Sequence, residues 1–152
     1  MIHEGGIVFR DERVTVSAAR VDHPPIRESY AYRFDTADRS IVISGDTAPS
    51  ENLVRLARGA DVLVHEVLLR SPSGVAEWLA LPPDHPLVRH VVQSHTSYTE
   101  VGRVARDAGV TTLVLSHFVP GDEPVNEAAV LAAIRESFSG PVIFGTDLLE
   151  IP

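Results

Sequence analysis

The chain has 152 residues, enough for one domain with a hydrophobic core, and we expect a single domain over residues 1–152. It contains no cysteine, which excludes disulfides and thiolate metal sites and leaves His, Asp and Glu as the plausible metal ligands. It has no run of eighteen apolar residues, no signal-peptide pattern and a net charge of −8, so we expect a cytoplasmic protein without a membrane partner or a broad surface that follows phosphates.

An antiparallel meander is predicted for the first quarter of the chain. Residues 6–9 and 13–20 alternate apolar and polar side chains across an Arg-Asp-Glu-Arg turn, which predicts a hairpin. Residues 29–34 and 39–44 predict two further strands, joined by a turn-forming tetrapeptide. The meander ends at Asp46, on a small-residue turn.

A strand–helix–strand unit follows the meander. Residues 50–58 place Leu53 and Leu56 on one face of a short helix, and Gly59 is a suitable residue to end it. Residues 60–65 predict a buried strand. This order implies parallel pairing with a right-handed crossover.

Residues 67–92 are predicted to be irregular, because four prolines interrupt one short helical piece near residues 74–81. We interpret this segment as a mobile, lid-like excursion over a site. Its Trp78 either forms a lid or pocket wall or packs the loop onto the core.

A capping box, in which Ser97 and Glu100 satisfy each other's backbone amides, predicts the start of the next helix, and Gly109 predicts its end. Residues 111–116 then form another predicted buried strand.

The remaining sequence predicts one helix and two short strands. Asp122 is the expected N-cap of the helix, with Pro124 in its first turn. Residues 141–145 and 148–151 are the expected strands.

Polar side chains recur where these strands end. His23, Asp46, Glu66 and His117 each end a strand, and His95 precedes the capped helix. If the strand ends share one edge of a sheet, these groups converge, and two histidines with a carboxylate suit zinc or a similar ion.

A structural interpretation stays open at this point. A histidine at a strand end is more often hydrogen-bonded than a ligand, and a Gly-Asp-Thr turn commonly caps a helix. We treat His85 and His90 as surface or loop residues.

Five motifs in order resemble the later motifs of the metallo-β-lactamase superfamily, in its ribonuclease Z-like branch of metal-dependent hydrolases. They are Val21-Asp-His23-Pro, Ser44-Gly-Asp46-Thr, Val64-His-Glu66-Val, Ser94-His95-Thr-Ser and Leu115-Ser-His117-Phe. The resemblance implies an α/β fold, the C-terminal half of an αββα sandwich, in which helices flank a mixed β-sheet.

The resemblance also implies roles for the five side chains. His23 would bind one zinc ion, Asp46 would bridge two, and His117 would bind the second. A metal-bound hydroxide would be the nucleophile in ester or phosphodiester hydrolysis. His95 would donate a proton or contact the oxyanion, while Glu66 would hold the ring of His95.

One motif of the superfamily, His-x-His-x-Asp-His, is absent from this sequence. Without it each metal has two protein ligands, whereas three are usual for a catalytic zinc. We therefore expect a hydrolase that is incomplete without an N-terminal half. We expect that half from a second copy or a partner chain, because half a sandwich exposes an apolar sheet face. The alternative is an inactive remnant that acts as a dimerising or binding module.

The expected substrate follows from the short spacing between His23 and Asp46. In bacterial ribonuclease Z proteins, a tRNA-gripping arm is inserted between the matching residues, and this spacing leaves no room for one. Together with the negative charge, this favours a small-molecule ester, lactone or phosphodiester substrate over tRNA.

Overall fold

The computed structural model of the chain describes residues 5–121 and 123–151. One mixed sheet contains seven strands in the order of the sequence. The strands are β1 Gly6–Arg10, β2 Val14–Arg20, β3 Tyr30–Thr36, β4 Ser40–Ile43, β5 Val62–Leu68, β6 Thr112–Val119 and β7 Val142–Phe144. The helices are α1 Glu51–Leu56, α2 Val75–Leu79, α3 Pro86–Ser94, α4 Val101–Ala108 and α5 Glu127–Arg135. Pro72–Gly74 forms a 3₁₀ turn ahead of α2.

Strands β1 to β4 form the predicted antiparallel meander. The turn between β1 and β2 closes on Asp11, whose carboxylate accepts the N–H groups of Arg13 and Val14 at 2.8 and 2.9 Å. These two bonds lower the pKa of Asp11.

Strands β4 to β7 pair in parallel, as the strand–helix–strand pattern predicted for β4 and β5. Val42, Leu63 and Leu113 are adjacent across three strands and are fully buried under the helices. The predicted apolar side of α4 is also buried; it consists of Val101, Val104, Ala105 and Ala108. The α/β fold with helices flanking a mixed sheet is thereby confirmed.

The opposite sheet face also carries apolar side chains in register. Tyr32, Ile43, Val64 and Val114 lie in one row across β3 to β6. Tyr32 and Ile43 are 41% and 44% exposed. Residues 146–151 cover the other end of the row, where Val64 and Val114 help to line a cavity of about 280 Å³. Part of this face is therefore apolar surface open to solvent.

Residues 67–92 are more regular than the sequence suggested. The sequence predicts no helix where α3 lies, because Pro86 is one of the prolines that interrupt the helical pattern. In the structure Pro86 is the first residue of the helix, a position that needs no amide hydrogen. His85 is its N-cap, and Nδ1 of His85 accepts the N–H of Leu87 at 3.2 Å.

A small hydrophobic cluster attaches α2 and α3 to the sheet. It consists of Leu68, Val75, Val88 and Val91. Trp78 packs against this cluster, its indole N–H donates to Glu123 at 3.0 Å, and the guanidinium of Arg70 lies over its ring. Trp78 thus packs its segment onto the body of the protein, which was one of the two alternatives.

Two predicted helix starts differ from the structure. Ser97 does not form the capping box: its hydroxyl donates to the carbonyl of Arg70 at 2.8 Å and accepts the N–H of Thr99. Helix α4 therefore begins only at Val101. Asp122, the expected N-cap of α5, lies outside the described residues.

Helix α5 begins at Glu127, capped by Asn126, whose side-chain oxygen accepts the N–H of Ala129.

The predicted strand at 148–151 is absent from the described sheet. Leu148 has a positive φ of 63°, which an extended strand cannot accommodate. Across residues 5–121 and 123–151, none of the helices has the length and apolar character required to cross a membrane.

Candidate metal centre

The predicted convergence of polar side chains occurs at one edge of the sheet. The carboxyl ends of β4, β5 and β6 share this edge because these strands are parallel. Strand β2 ends there too, since it is antiparallel to β3, which is antiparallel to β4. His23, Asp46, Glu66 and His117 are brought to this edge by four different strands.

Asp46 lies between two histidines and faces each with a different carboxylate oxygen. Its Oδ2 is 4.0 Å from Nε2 of His23, and its Oδ1 is 3.6 Å from Nδ1 of His117. Two ligands of one tetrahedral zinc are about 3.4 Å apart. The three side chains therefore fit a pair of ions that share Asp46, with two protein ligands for each ion among the described residues.

The turn that carries Asp46 is held by close backbone packing. Gly45 has φ +60°, and a Cβ at this position would lie 2.8 Å from the carbonyl oxygen of Tyr30. The hydroxyl of Ser29 donates to the carbonyl of Asp46 at 3.0 Å. A glycine is thus required immediately before the carboxylate.

The loop that carries His23 is attached to the same turn. The N–H of Asp22 donates to the hydroxyl of Thr47 at 3.2 Å, and the N–H of Ala48 donates to the carbonyl of Asp22 at 2.7 Å. Nδ1 of His23 is buried and has no hydrogen-bond partner among the described residues. These contacts fix the distance between the loops that hold His23 and Asp46.

Glu66 is a buried carboxylate that joins two loops of the site. Its Oε1 accepts the N–H of Thr47 at 3.1 Å and the N–H of Thr96 at 3.2 Å. It also accepts Nδ1–H of His95 at 3.1 Å. Glu66 lies inside β5 and not after its end, because β5 continues to Leu68.

The environment of His95 favours its protonated form. Burial by itself lowers the pKa of His95, but the hydrogen bond to Glu66 and the negative charges of Glu66 and Asp46 outweigh it, so the pKa is raised. The ring of His95 lies edge-on to that of His23, with centroids 5.3 Å apart, and is stacked with that of His117 at 6.1 Å.

His117 occupies a bulge in β6. Its neighbours Ser116 and Phe118 pair with the consecutive residues Glu66 and Val67, so His117 is the extra residue. Its φ of +42° is unusual for a residue with a side chain. Bulges re-aim side chains next to active sites, and this one explains how a histidine inside a strand faces Asp46.

A second grouping of possible ligands overlaps the first. Glu66, His95 and His117 each offer one ligand atom within 4.8 Å of the others, so these three residues can hold a metal ion. Oε1 of Glu66 accepts three hydrogen bonds, whereas its Oε2 is buried and has no hydrogen-bond partner among the described residues. Glu66 therefore positions His95 through Oε1, and Oε2 is the oxygen that is free to approach an ion.

His90, which the sequence predicts to be a surface or loop residue, and Ser94, to which the sequence assigns no role of its own, both lie beside the site. Both bond the carbonyl of Pro24, at 3.1 Å from Nδ1 of His90 and 2.6 Å from the hydroxyl of Ser94. The ring of His90 is 6.1 Å from that of His23. Their spacing of four residues would have placed them on one face of a helix, had α3 been predicted.

A family model described as a β-lactamase superfamily domain matches residues 2–118. Ribonuclease Z from Mycobacterium tuberculosis strain H37Rv is 33% identical over 99% of this chain and 53% of its own length. Ribonuclease Z from Mycobacterium sp. strain KMS is 35% identical over 99% of this chain and 51% of its own length. The chain thus spans about half the length of these two curated relatives.

Solved structures share the fold at lower identity. The metallo-β-lactamase fold protein YhfI from Bacillus subtilis has a TM-score of 0.67 and 20% identity over 91% of this chain and 49% of YhfI. The short form of human tRNase Z has a TM-score of 0.63 and 21% identity over 98% of this chain and 46% of the human protein.

The expectation of a small-molecule substrate in preference to tRNA is wrong. The relatives at 33–35% identity carry the name ribonuclease Z. The net charge was a poor guide to the substrate, because it averages over the whole surface and hides local basic regions. Next to His23 the surface carries Arg20 and Arg27, which line a cavity of about 690 Å³.

Proposed function

We propose that the chain, which belongs to the metallo-β-lactamase superfamily, cleaves phosphodiester bonds in RNA as a metal-dependent hydrolase. Two features support this: relatives named ribonuclease Z at 33–35% identity, and a carboxylate flanked by two histidines. The observation that carries the proposal is that Asp46 faces His23 and His117 with different oxygens, as a bridging ligand does.

The metal in this proposal is zinc, because imidazole and carboxylate ligands suit it. His23 and Asp46 would hold one ion, and Asp46 and His117 would hold a second. Bound zinc supplies a water of lowered pKa and polarises the phosphoryl oxygen. Further ligands would come from a segment that carries the missing His-x-His-x-Asp-His motif.

His95 is proposed as the proton donor to the leaving oxygen. Its Nδ1 is held by Glu66, which leaves Nε2 as the atom that gives up the proton. The raised pKa of His95 keeps a proton on the ring closer to neutral pH than an ordinary histidine would. Glu66 acts through His95 by fixing the orientation of its ring.

The experiment that tests this function uses a tRNA precursor with a labelled 3′ trailer. The chain is assayed with zinc, alone and together with a polypeptide that carries the missing motif. Cleavage that is lost in both Asp46→Asn and His117→Asn is the expected result. Cleavage that persists in both variants would contradict the assignment of the site.

A second candidate function is that of a binding module without activity. It is favoured by one observation, that in the arrangement centred on Asp46 each ion has two ligands among the described residues instead of the usual three. Mass spectrometry of the metal content of the assembled protein separates the two candidates. Stoichiometric zinc supports the hydrolase, whereas zinc below one equivalent, together with no cleavage, supports the binding module.

A further inference from the structure

Two adjoining cavities form a groove that starts beside His23. Their volumes are about 690 and 370 Å³, and they share Pro24, Pro25 and Gln93 in their walls. We call this feature the Pro24 groove. His23 lines its larger cavity, so the groove reaches the candidate metal centre.

The Pro24 groove is locally basic in a chain whose net charge is −8. Arg20 and Arg27 line its larger cavity, and Arg89 lines the smaller one. Among the described residues, Asp22 is the one acidic residue that lines either cavity. The described lining of the groove therefore carries three guanidinium groups and one carboxylate.

The three arginines of the groove have no side-chain hydrogen bond or ion pair with the residues that the structure describes. Other arginines of the chain do pair with carboxylates; they are Arg33, Arg55, Arg70, Arg103 and Arg106. An unpaired guanidinium has its full set of donors free, and its planar fork matches the oxygens of a phosphate.

The arginines also come from different parts of the chain. Arg20 is the last residue of β2 and Arg27 lies in the loop that follows, whereas Arg89 lies on α3. Ser94 and His90 fasten α3 to that loop through the carbonyl of Pro24, so the two walls of the groove are held together. A ligand with several anionic groups in a row fits this arrangement better than a single small anion.

We propose that the Pro24 groove binds the phosphate backbone of the RNA strand that leads to the metal centre. This inference rests on the proposed function for its choice of RNA as the ligand. Guanidinium contacts to phosphates position a strand without reading its sequence. The groove would thus set the register of the scissile bond, while the metal centre carries the chemistry.

The test compares two double variants that remove the same charge. Arg27→Gln with Arg89→Gln changes the groove. Arg13→Gln with Arg58→Gln is the matched control, because both residues are exposed and their side chains have no hydrogen bond or ion pair with described residues. Fluorescence anisotropy measures the binding of a short labelled single-stranded RNA to each purified 152-residue variant over a series of salt concentrations.

The groove variant should bind RNA more weakly at low salt. Its slope of log K against log salt should become shallower by about 1.4, since each phosphate contact on single strands contributes about 0.7. The control should keep the parent slope. Equal slopes in the two variants, or no binding by the parent chain at low salt, would overturn the proposal.

The groove assignment and the hydrolase proposal can fail independently of each other. If RNA is bound through the groove but never cleaved, the groove assignment stands and the hydrolase proposal fails. If RNA is cleaved while both double variants bind with the same salt slope, the hydrolase proposal stands and the groove assignment fails.

Discussion

Oε1 of Glu66 lies 3.1 Å from Nδ1 of His95 and accepts a hydrogen bond from the N–H group at that position. The same oxygen accepts the backbone N–H of Thr47, the residue after Asp46. One buried carboxylate oxygen thus couples the orientation of His95 to the position of the turn that carries Asp46. Replacing Glu66 should therefore affect two parts of the site at once.

The first prediction concerns Glu66→Gln. The pKa of His95 should fall in the metal-free protein, because burial lowers it and the variant loses the negative charge of Glu66, one of the contributions that together outweigh burial. NMR titration of the imidazole resonances measures this, with the exposed Glu51→Gln as the control. Cleavage should fall by about 10- to 100-fold, the usual loss for such a supporting carboxylate.

Glu66→Gln should also change how stability depends on pH. Since the folded-state pKa of His95 is raised, its stabilising contribution is full below about pH 6.5 and is lost as the pH rises through the folded pKa. The variant should lack this contribution in urea unfolding experiments. An unchanged pKa of His95 would contradict the coupling.

The second prediction concerns Asp46→Asn. The amide nitrogen cannot ligate a metal, so the variant keeps the shape of the side chain but loses the ability to bridge two ions. Titration calorimetry with zinc should show weaker binding than in the parent. Asp38→Asn, an exposed change of equal charge, should bind zinc like the parent. Equal zinc binding by both variants would contradict the role of Asp46.

The third prediction uses two glycines with nearly the same φ angle. Gly45 and Gly59 have φ values of +60° and +65°, but a Cβ meets the carbonyl of Tyr30 only at Gly45. Gly59→Ala should lower the free energy of unfolding by about 1 kcal/mol through backbone strain. Gly45→Ala adds a clash and should lower it by about 2–4 kcal/mol.

Zinc binding provides the second measurement for these glycines. Gly45→Ala should weaken it, because Asp46 follows directly, whereas Gly59→Ala should not. If the two variants lose the same stability and bind zinc alike, the close approach of Tyr30 has no part in shaping the site.

The sequence predicted the elements that local signals define. Alternation located the meander, and helical spacing with glycine ends located α1 and α4. It missed α3, because Pro86 carries the same local signal whether it starts a helix or interrupts one. It also misplaced the capping of α4, since the partner of Ser97, the carbonyl of Arg70, is distant in sequence.

The candidate site was predicted as a set of residues but not as a geometry. The chain order of the motifs identified His23, Asp46, Glu66, His95 and His117. The bulge that turns His117 toward Asp46 depends on pairing with β5, which no local pattern specifies. The arginines of the Pro24 groove were likewise invisible, because α3 brings Arg89 next to a loop more than sixty residues earlier in the chain.

The fourth prediction concerns His65, which is fully buried. Burial lowers the pKa of His65 and outweighs the opposing effect of Glu66. Below about pH 6.5 the unfolded chain therefore takes up a proton that the folded chain does not, and stability falls as the pH decreases. In His65→Met the slope of unfolding free energy against pH should therefore be flatter below about pH 6.5 than in the parent protein.

Urea unfolding at several pH values measures this slope. His85→Gln is not a suitable control, because His85 caps α3. The suitable control is Leu63→Met, another fully buried position on β5. It should lower stability equally at all pH values. If His65→Met also lowered the free energy of unfolding equally at all pH values, His65 would not resist protonation in the folded protein.

The last prediction concerns the segment that contains α2 and α3. Its small cluster has four buried residues, whereas the main core has eighteen, so the segment should open locally before the sheet does. Val88→Ala removes two methyl-sized groups from that cluster, a loss of about 1.6 kcal/mol. Hydrogen exchange of residues 72–94 should therefore accelerate roughly tenfold, while exchange in β5 and β6 stays unchanged. Val104→Ala, in the main core, should instead accelerate exchange in the sheet. Uniform acceleration by Val88→Ala would show that this segment opens only together with the whole fold and cannot move as a lid.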